Sequence, residues 1–106
     1  MKKYPVTYKN KKYEVRWGSN FIPFISIYEE RYFLGLKYFK EIYNIYEYEL
    51  EDYLRKCGIF DTNPNYYIEQ AKAIFYLMEQ EKTYKAYIKE TEQNKRTNLE
   101  NWDGVL

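Results

Sequence analysis

The sequence predicts an α+β fold, in which an N-terminal antiparallel β-hairpin packs against two long antiparallel helices. Apolar and polar residues alternate over the first 17 residues, and apolar residues recur every three or four positions from Leu36 to Cys57. The 106 residues are enough for a single domain. We divide it into a β-rich part (1–34), a helical pair (35–94) and a tail (95–106).

The hairpin is predicted from two runs in which every second side chain is aromatic or branched. These side chains are Tyr4, Val6, Tyr8, Tyr13, Val15 and Trp17. A turn lies near Lys9, Asn10 and Lys11, and the alternation places all six side chains on one face of the hairpin. We expect that face to pack on the helices. Pro5 has no N–H to donate, so the first strand is expected at an edge of the sheet.

The segment Phe21–Tyr28 follows a break at residues 18–20 and is rich in aromatic and β-branched residues around Pro23. Two structures are compatible with this composition. It is either a third strand, with Ile25 and Ile27 on one face, or the lead-in to a helix. We favour a short strand.

The first helix is predicted over residues 35–57, because its apolar residues are spaced by three and four. The apolar stripe consists of Leu36, Phe39, Tyr43, Tyr46, Leu50, Tyr53 and Cys57. Gly58 suits the left-handed conformation that ends many helices. A strand is the alternative at Tyr46, Tyr48 and Leu50, where apolar residues alternate with glutamates.

A second helix is predicted to start at residues 61–64, where three capping residues precede Pro64. Its apolar stripe consists of Ile68, Ala71, Phe75 and Met78. We expect this helix to end near Asn94. The tail is either frayed or pinned to the domain by Trp102.

The residue inventory excludes several chemistries. The chain contains no histidine, one cysteine and four glycines, so it has no histidine base, no Cys/His zinc site and no glycine-rich phosphate loop. Glu47, Glu49, Glu51 and Asp52 form an acidic cluster, which we interpret as a solvated helix face. We therefore predict no enzymatic activity, no metal site and no cofactor.

The sequence also indicates a cytoplasmic location without a membrane partner. The longest uncharged run, Trp17–Tyr28, is short and broken by Pro23, and no apolar leader follows Lys2 and Lys3. Cys57 has no second cysteine to pair with, which fits a reducing compartment. Abundant tyrosine, lysine, asparagine and isoleucine have AT-rich codons and point to a low-GC bacterium or a phage.

Charge is concentrated at the N-terminus and suggests one candidate function. Residues 1–17 carry a net charge of +5 while the whole chain carries +1. Lys9, Lys11, Lys12 and Arg16 are therefore the candidate residues for nucleic-acid binding, which requires cations for the phosphates. The near-neutral total charge makes this the second choice.

Aromatic residues make up 22% of the chain, and this abundance favours protein binding. Five tyrosines lie off the predicted helical stripes and are the candidate partner-binding residues: Tyr28, Tyr32, Tyr48, Tyr66 and Tyr76. We interpret the chain as a non-enzymatic protein-binding module, an accessory protein of a phage or mobile element that binds and inhibits a host macromolecule. The partner is either a host protein or a second copy of the chain.

Overall fold

A computed structural model describes residues 2–106 and confirms the α+β class. Its elements in chain order are β1 (Lys2–Tyr8), β2 (Lys11–Asn20), β3 (Ile22–Phe33), β4 (Leu36–Tyr46), α1 (Glu47–Lys56) and α2 (Tyr66–Glu100). The strands form one antiparallel sheet in the order β1-β2-β3-β4. The chain divides into two compact units, Met1–Tyr76 and Leu77–Leu106.

The predicted N-terminal hairpin is confirmed, including its turn. Tyr8 pairs with Lys11 across Lys9 and Asn10, whose φ angles are 49° and 64°. Two consecutive residues with positive φ form the turn whose twist matches that of paired strands. β1 is an edge strand, as Pro5 predicted.

The free edge of β1 lacks a backbone hydrogen-bond donor at Pro5. Tyr8 and Lys11 close the turn as a hydrogen-bonded pair, and hydrogen-bonded and non-hydrogen-bonded pairs alternate along an antiparallel ladder. Pro5, opposite Glu14, therefore belongs to a non-hydrogen-bonded pair. Its missing N–H would have pointed outward from the sheet, so this position offers no donor to an added strand.

β3 confirms the prediction of a third strand but is longer than expected. It contains 12 residues and continues to Phe33. Only Phe21, at a φ of 68°, separates β2 from β3, and its side chain is fully exposed. Val15 pairs with Ile27 and Trp17 pairs with Ile25 across these two strands.

The predicted helix at 35–57 is wrong over its first half, where the chain forms β4 instead. A β-bulge explains the misleading pattern. Ile27 pairs with Tyr43 and Tyr28 pairs with Glu41, so Ile42 is an extra residue in β4. The bulge shifts by one position the alternation of side chains between the two faces of β4. Apolar residues that lie on both faces of the strand then recur every three or four residues, which is the spacing expected of a helix.

The second half of that segment is the short helix α1, so the alternative of a strand across Tyr46, Tyr48 and Leu50 is confirmed for Tyr46 and wrong for the other two. α1 contains 10 residues. Gly58, at a φ of 80°, ends it as predicted. The N–H groups of Gly58 and Ile59 donate to the carbonyl oxygens of Arg55 and Leu54, both at 2.9 Å, which is the hydrogen-bond pattern of a Schellman motif.

α2 begins two residues after Pro64, and its buried face differs from the predicted stripe. Asn63 accepts a hydrogen bond from the N–H of Asn65 at 2.8 Å just before the helix. The buried residues of α2 within the first unit are Tyr66, Gln70, Ala73, Ile74 and Phe75. Ile68 is exposed and Ala71 is half-buried, so the helix is rotated relative to the prediction.

The core of the first unit lies between one face of the sheet and the two helices. Fully buried side chains come from β2 and β3 and from both helices: Val15, Ile25, Ile27, Leu50 and Ile74. The rings of Tyr8 and Tyr13 lie 4.9 and 5.3 Å from the ring of Phe75. We call the side of the sheet that carries Val15, Ile25 and Ile27 the covered face.

The hairpin face was predicted to pack on the helices throughout, but its outermost part does not. Tyr13 is buried, whereas Tyr8 and Trp17 are half-buried and Tyr4 is exposed. The difference follows from position, because Tyr4 lies on the edge strand while Tyr13 lies on β2, one strand further into the sheet.

The unit Leu77–Leu106 contains the remainder of α2, which ends at Glu100, six residues beyond the predicted end, and then the tail. The Thr83 and Thr91 hydroxyls donate to the carbonyl oxygens four residues earlier, at 3.1 and 2.9 Å. Trp102 is exposed and lies outside any helix or strand.

Candidate functional site

Pairing within the β3–β4 hairpin extends further along the chain than pairing between β2 and β3. Pairing between β2 and β3 ends at Tyr13 and Glu29, while pairing between β3 and β4 continues to Phe33 and Leu36. Residues 30–39 therefore form a two-stranded ribbon without a third strand. We call this ribbon the finger.

The finger ends in large apolar side chains that are mostly exposed. Their exposed fractions are 66% for Tyr32, 67% for Phe33, 87% for Leu34 and 73% for Leu36. Tyr38 is 43% exposed. Tyr32 also donates a hydrogen bond to Glu30 Oε1 at 2.7 Å, and this bond, followed by the negative charge of Glu30, raises the pKa of Tyr32.

The turn of the finger holds a leucine in an unfavourable backbone conformation. Leu34 has a φ of 52° and is followed by Gly35 at 78°. The left-handed region is reached easily by glycine and asparagine, and a leucine there carries backbone strain. The finger therefore keeps an exposed apolar side chain at a position where a small polar residue would suit the backbone better.

An apolar groove of about 630 Å³ lies between β1 and the first turns of α2. Its apolar walls come from Tyr4, Val6 and Tyr8 on the strand and from Ile68, Ala71 and Phe75 on the helix. Lys2 and Lys72 contribute the charges, and the Lys2 ammonium lies 4.2 Å from the centre of the Tyr67 ring. The volume is in the range of sites that bind small ligands or protruding side chains.

Polar and aromatic contacts hold α2 against the sheet beside this groove. Trp17 Nε1 donates to Gln70 Oε1 at 3.0 Å, and Gln70 is fully buried. The Trp17 ring meets the Tyr67 ring edge-on, with centroids 6.0 Å apart. Both contacts lie within the chain and join α2 to β2.

The structure does not bring the five predicted tyrosines together. Tyr32 lies in the finger. Tyr28 is half-buried under the Arg16 guanidinium at 3.8 Å, Tyr48 stacks on Tyr46 at 5.6 Å, and Tyr76 stacks on Tyr53 at 6.3 Å.

Tyr66 departs most from the expectation of exposure, because it is the first residue of α2 and lies in the core. Burial raises the pKa of Tyr66, and the negative charge of Glu51 adds to this increase. A phenol in this position is shielded by the protein itself, so it offers little surface to a partner.

The four candidate nucleic-acid-binding residues lie at the first turn and along β2, and they differ in exposure. Lys9, Lys11 and Lys12 are exposed at or beside the first turn. Arg16 is half-buried on the sheet face opposite the covered face, and its Nε donates to Glu14 Oε1 at 2.6 Å. This carboxylate offsets the charge that Arg16 would offer to a phosphate.

Two members of the acidic cluster form ion pairs with basic residues of the same helix. Glu51 pairs with Arg55 at 3.4 Å and Asp52 pairs with Lys56 at 3.3 Å. Among residues 2–106, no three acidic or cysteine side chains converge as a metal site would require. Within the same residues, neither helix has an apolar stretch long enough to cross a bilayer.

Cys57 was expected on a buried apolar stripe, but it is exposed at the end of α1. Its position follows from the correction to that helix, because α1 buries only Leu50 and Leu54. The thiol has no disulfide partner.

Sequence reasoning missed Phe33, Leu34 and Leu36, although a signal for them was present. Residues 32–36 read Tyr-Phe-Leu-Gly-Leu, an apolar run on both sides of a glycine that favours a turn. A turn with no polar residue is unusual, and an apolar turn indicates either a buried loop or a contact surface.

Comparison with protein-family models, with curated proteins and with solved structures finds no significant match to this chain.

Proposed function

We propose that the chain is a non-enzymatic protein-binding module and that the finger is its main contact surface. The observation that carries this proposal is the cluster of four exposed apolar side chains at residues 32–36. Phe33 and Leu36 lie on one face of the ribbon and Tyr32 on the other, and together with Leu34 they leave on the order of 500 Å² of side-chain surface uncovered.

The isolation of the finger supports the same proposal. A two-stranded ribbon is marginally stable in water unless a third strand or a packed face supports it. The finger does not pair with β2, and its apolar residues are exposed on both strands. A protein partner that covers these side chains would supply the missing support.

The proposal extends to the setting in which the module works. We place it in the cytoplasm, as an accessory protein of a phage or mobile element that inhibits a host macromolecule. The AT-rich codon signature and the single cysteine support this setting. Inhibition requires only that the finger cover a surface that the host macromolecule needs.

The test is affinity capture from a bacterial lysate, followed by titration of the captured protein against purified variants. Leu36→Lys places a charge in the finger and should weaken binding by about 30-fold or more, the effect typical of a lost hot spot. Tyr84→Lys is the matched control, because Tyr84 is 64% exposed on α2 far along the chain. Equal affinity for both variants would refute a role for the finger.

Nucleic-acid binding remains the alternative and rests on the exposed Lys9, Lys11 and Lys12. The same titration with random oligonucleotides distinguishes it. If it holds, exchanging the three lysines for glutamine should flatten the slope of log affinity against log salt by about 2 to 3 units. Leu36→Lys should then leave the affinity unchanged or raise it.

A further inference from the structure

We propose that a second copy of this chain is a partner of the finger, and that each finger tip docks in the β1–α2 groove of the other copy. This inference rests on the proposed function, since it names the protein that the finger binds. Finger and groove both lie within the unit Met1–Tyr76, so one compact unit carries the two apolar surfaces that would meet.

The finger cannot reach the groove of its own chain. The groove is beside β1 and the finger extends from β3 and β4, with β2 between them in one sheet. Neighbouring strands are about 4.8 Å apart, so roughly 14 Å of paired sheet separates β1 from β4. Contact between finger and groove therefore requires two molecules.

The dimensions of the two surfaces agree. β1 contains seven residues, which gives the groove a strand wall of about 20 Å. The two strands of a hairpin tip are about 5 Å apart, so the tip and its side chains fit along this wall. Phe33, Leu34 and Leu36 would pack against Tyr4 and Ile68, which are more than half exposed.

The buried area favours two reciprocal finger–groove contacts over a single one. Phe33, Leu34 and Leu36 offer on the order of 400 Å², and the exposed groove residues Tyr4, Tyr67 and Ile68 offer roughly 300 Å². One such contact buries about 700 Å² in total, which is the size of incidental contacts, whereas two bury about 1,400 Å², the size of a stable interface. A twofold axis that exchanges the two fingers produces that pair and closes the assembly.

Strand addition is a poorer way to pair two copies at this edge. Pro5 removes an outward N–H from β1, so an added strand would lack a donor in the middle of its ladder. Docking of side chains into the groove needs no hydrogen bonds from that edge.

Sedimentation velocity over about 1 to 100 μM of the full chain tests this inference, because that range brackets typical weak dimers. We expect a species of twice 13.2 kDa. Leu36→Lys in the finger and Ile68→Lys in the groove should each weaken the dimer by about 30-fold or more. Both residues are exposed, so the variants should keep the fold, which circular dichroism checks; Tyr84→Lys is the matched control and should remain dimeric.

A mixture of the two variants provides the sharpest readout. It retains one intact finger and one intact groove that can meet, so the mixture should associate more tightly than either variant alone. A monomeric wild-type chain at 100 μM would overturn the inference, as would a dimer that Leu36→Lys breaks and Ile68→Lys leaves intact. If the chain is monomeric but Leu36→Lys still abolishes capture of a host protein, only the dimer is refuted and the proposed function stands.

Discussion

Two parts of β3 lie in different environments, and the comparison shows that residue type alone does not decide whether a side chain is buried. Its central part, residues 24–29, pairs with both β2 and β4, and Ile25 and Ile27 are completely buried there. Its last part, residues 30–33, pairs with β4 alone, and Phe33 is 67% exposed. Similar side chains stabilise the core in one part and remain exposed in the other, because only the central part is covered.

The strongest test of this contrast compares truncations in the two environments. Ile27→Ala should lower the free energy of unfolding by about 2 to 5 kcal/mol, since it removes fully buried methyl groups. Leu36→Ala should change it by about 0.5 kcal/mol or less, because an exposed side chain loses little packing. Urea denaturation at low protein concentration, where association contributes least, measures both. Equal losses would show that the finger is part of the core.

A polar contact next to the covered face should have an intermediate effect. Trp17→Phe keeps most of the ring but removes the Nε1 donor to Gln70. The buried Gln70 oxygen would then lack its partner, at a cost of about 1 to 3 kcal/mol. Gln70→Leu is the companion variant. The double variant, Trp17→Phe with Gln70→Leu, removes both polar groups and should recover part of the lost stability. Thermal unfolding of the two single variants and the double variant measures the coupling.

The smallest expected effect is a gain in stability within the finger. Leu34→Asn places an asparagine before Gly35, the residue pair that best suits a turn with two positive φ angles. We expect the free energy of unfolding to rise by about 0.5 to 1 kcal/mol, as left-handed strain is relieved. The same change should weaken self-association in sedimentation. A loss of stability together with tighter association would contradict the role assigned to the turn.

The elements that followed local rules were predictable from the sequence. The first hairpin alternates regularly from Tyr4 to Trp17, and Gly58 ends a helix because its backbone needs a left-handed conformation. The α+β class followed from these signals. Patterns of this kind survive in the structure because the residues involved interact mainly with their sequence neighbours.

The elements that depend on distant contacts were not predictable in the same way. The bulge at Ile42 gave a strand the spacing of a helix, and it is defined only by pairing with β3. The buried face of α2 was misplaced because Gln70, a polar residue, lies in the core through its bond to Trp17. The finger was missed because the exposure of Phe33 and Leu36 depends on where pairing between β2 and β3 ends.

The order of the strands also affects how the chain folds during its synthesis. Each strand pairs with the one made just before it, so the whole sheet can form from local contacts as the chain emerges, and low contact order favours rapid folding. The helices follow later, because α2 begins at Tyr66. Until the ribosome has passed that residue, the nascent sheet exposes Val15, Ile25 and Ile27, which makes this interval the time when the chain is most prone to aggregate.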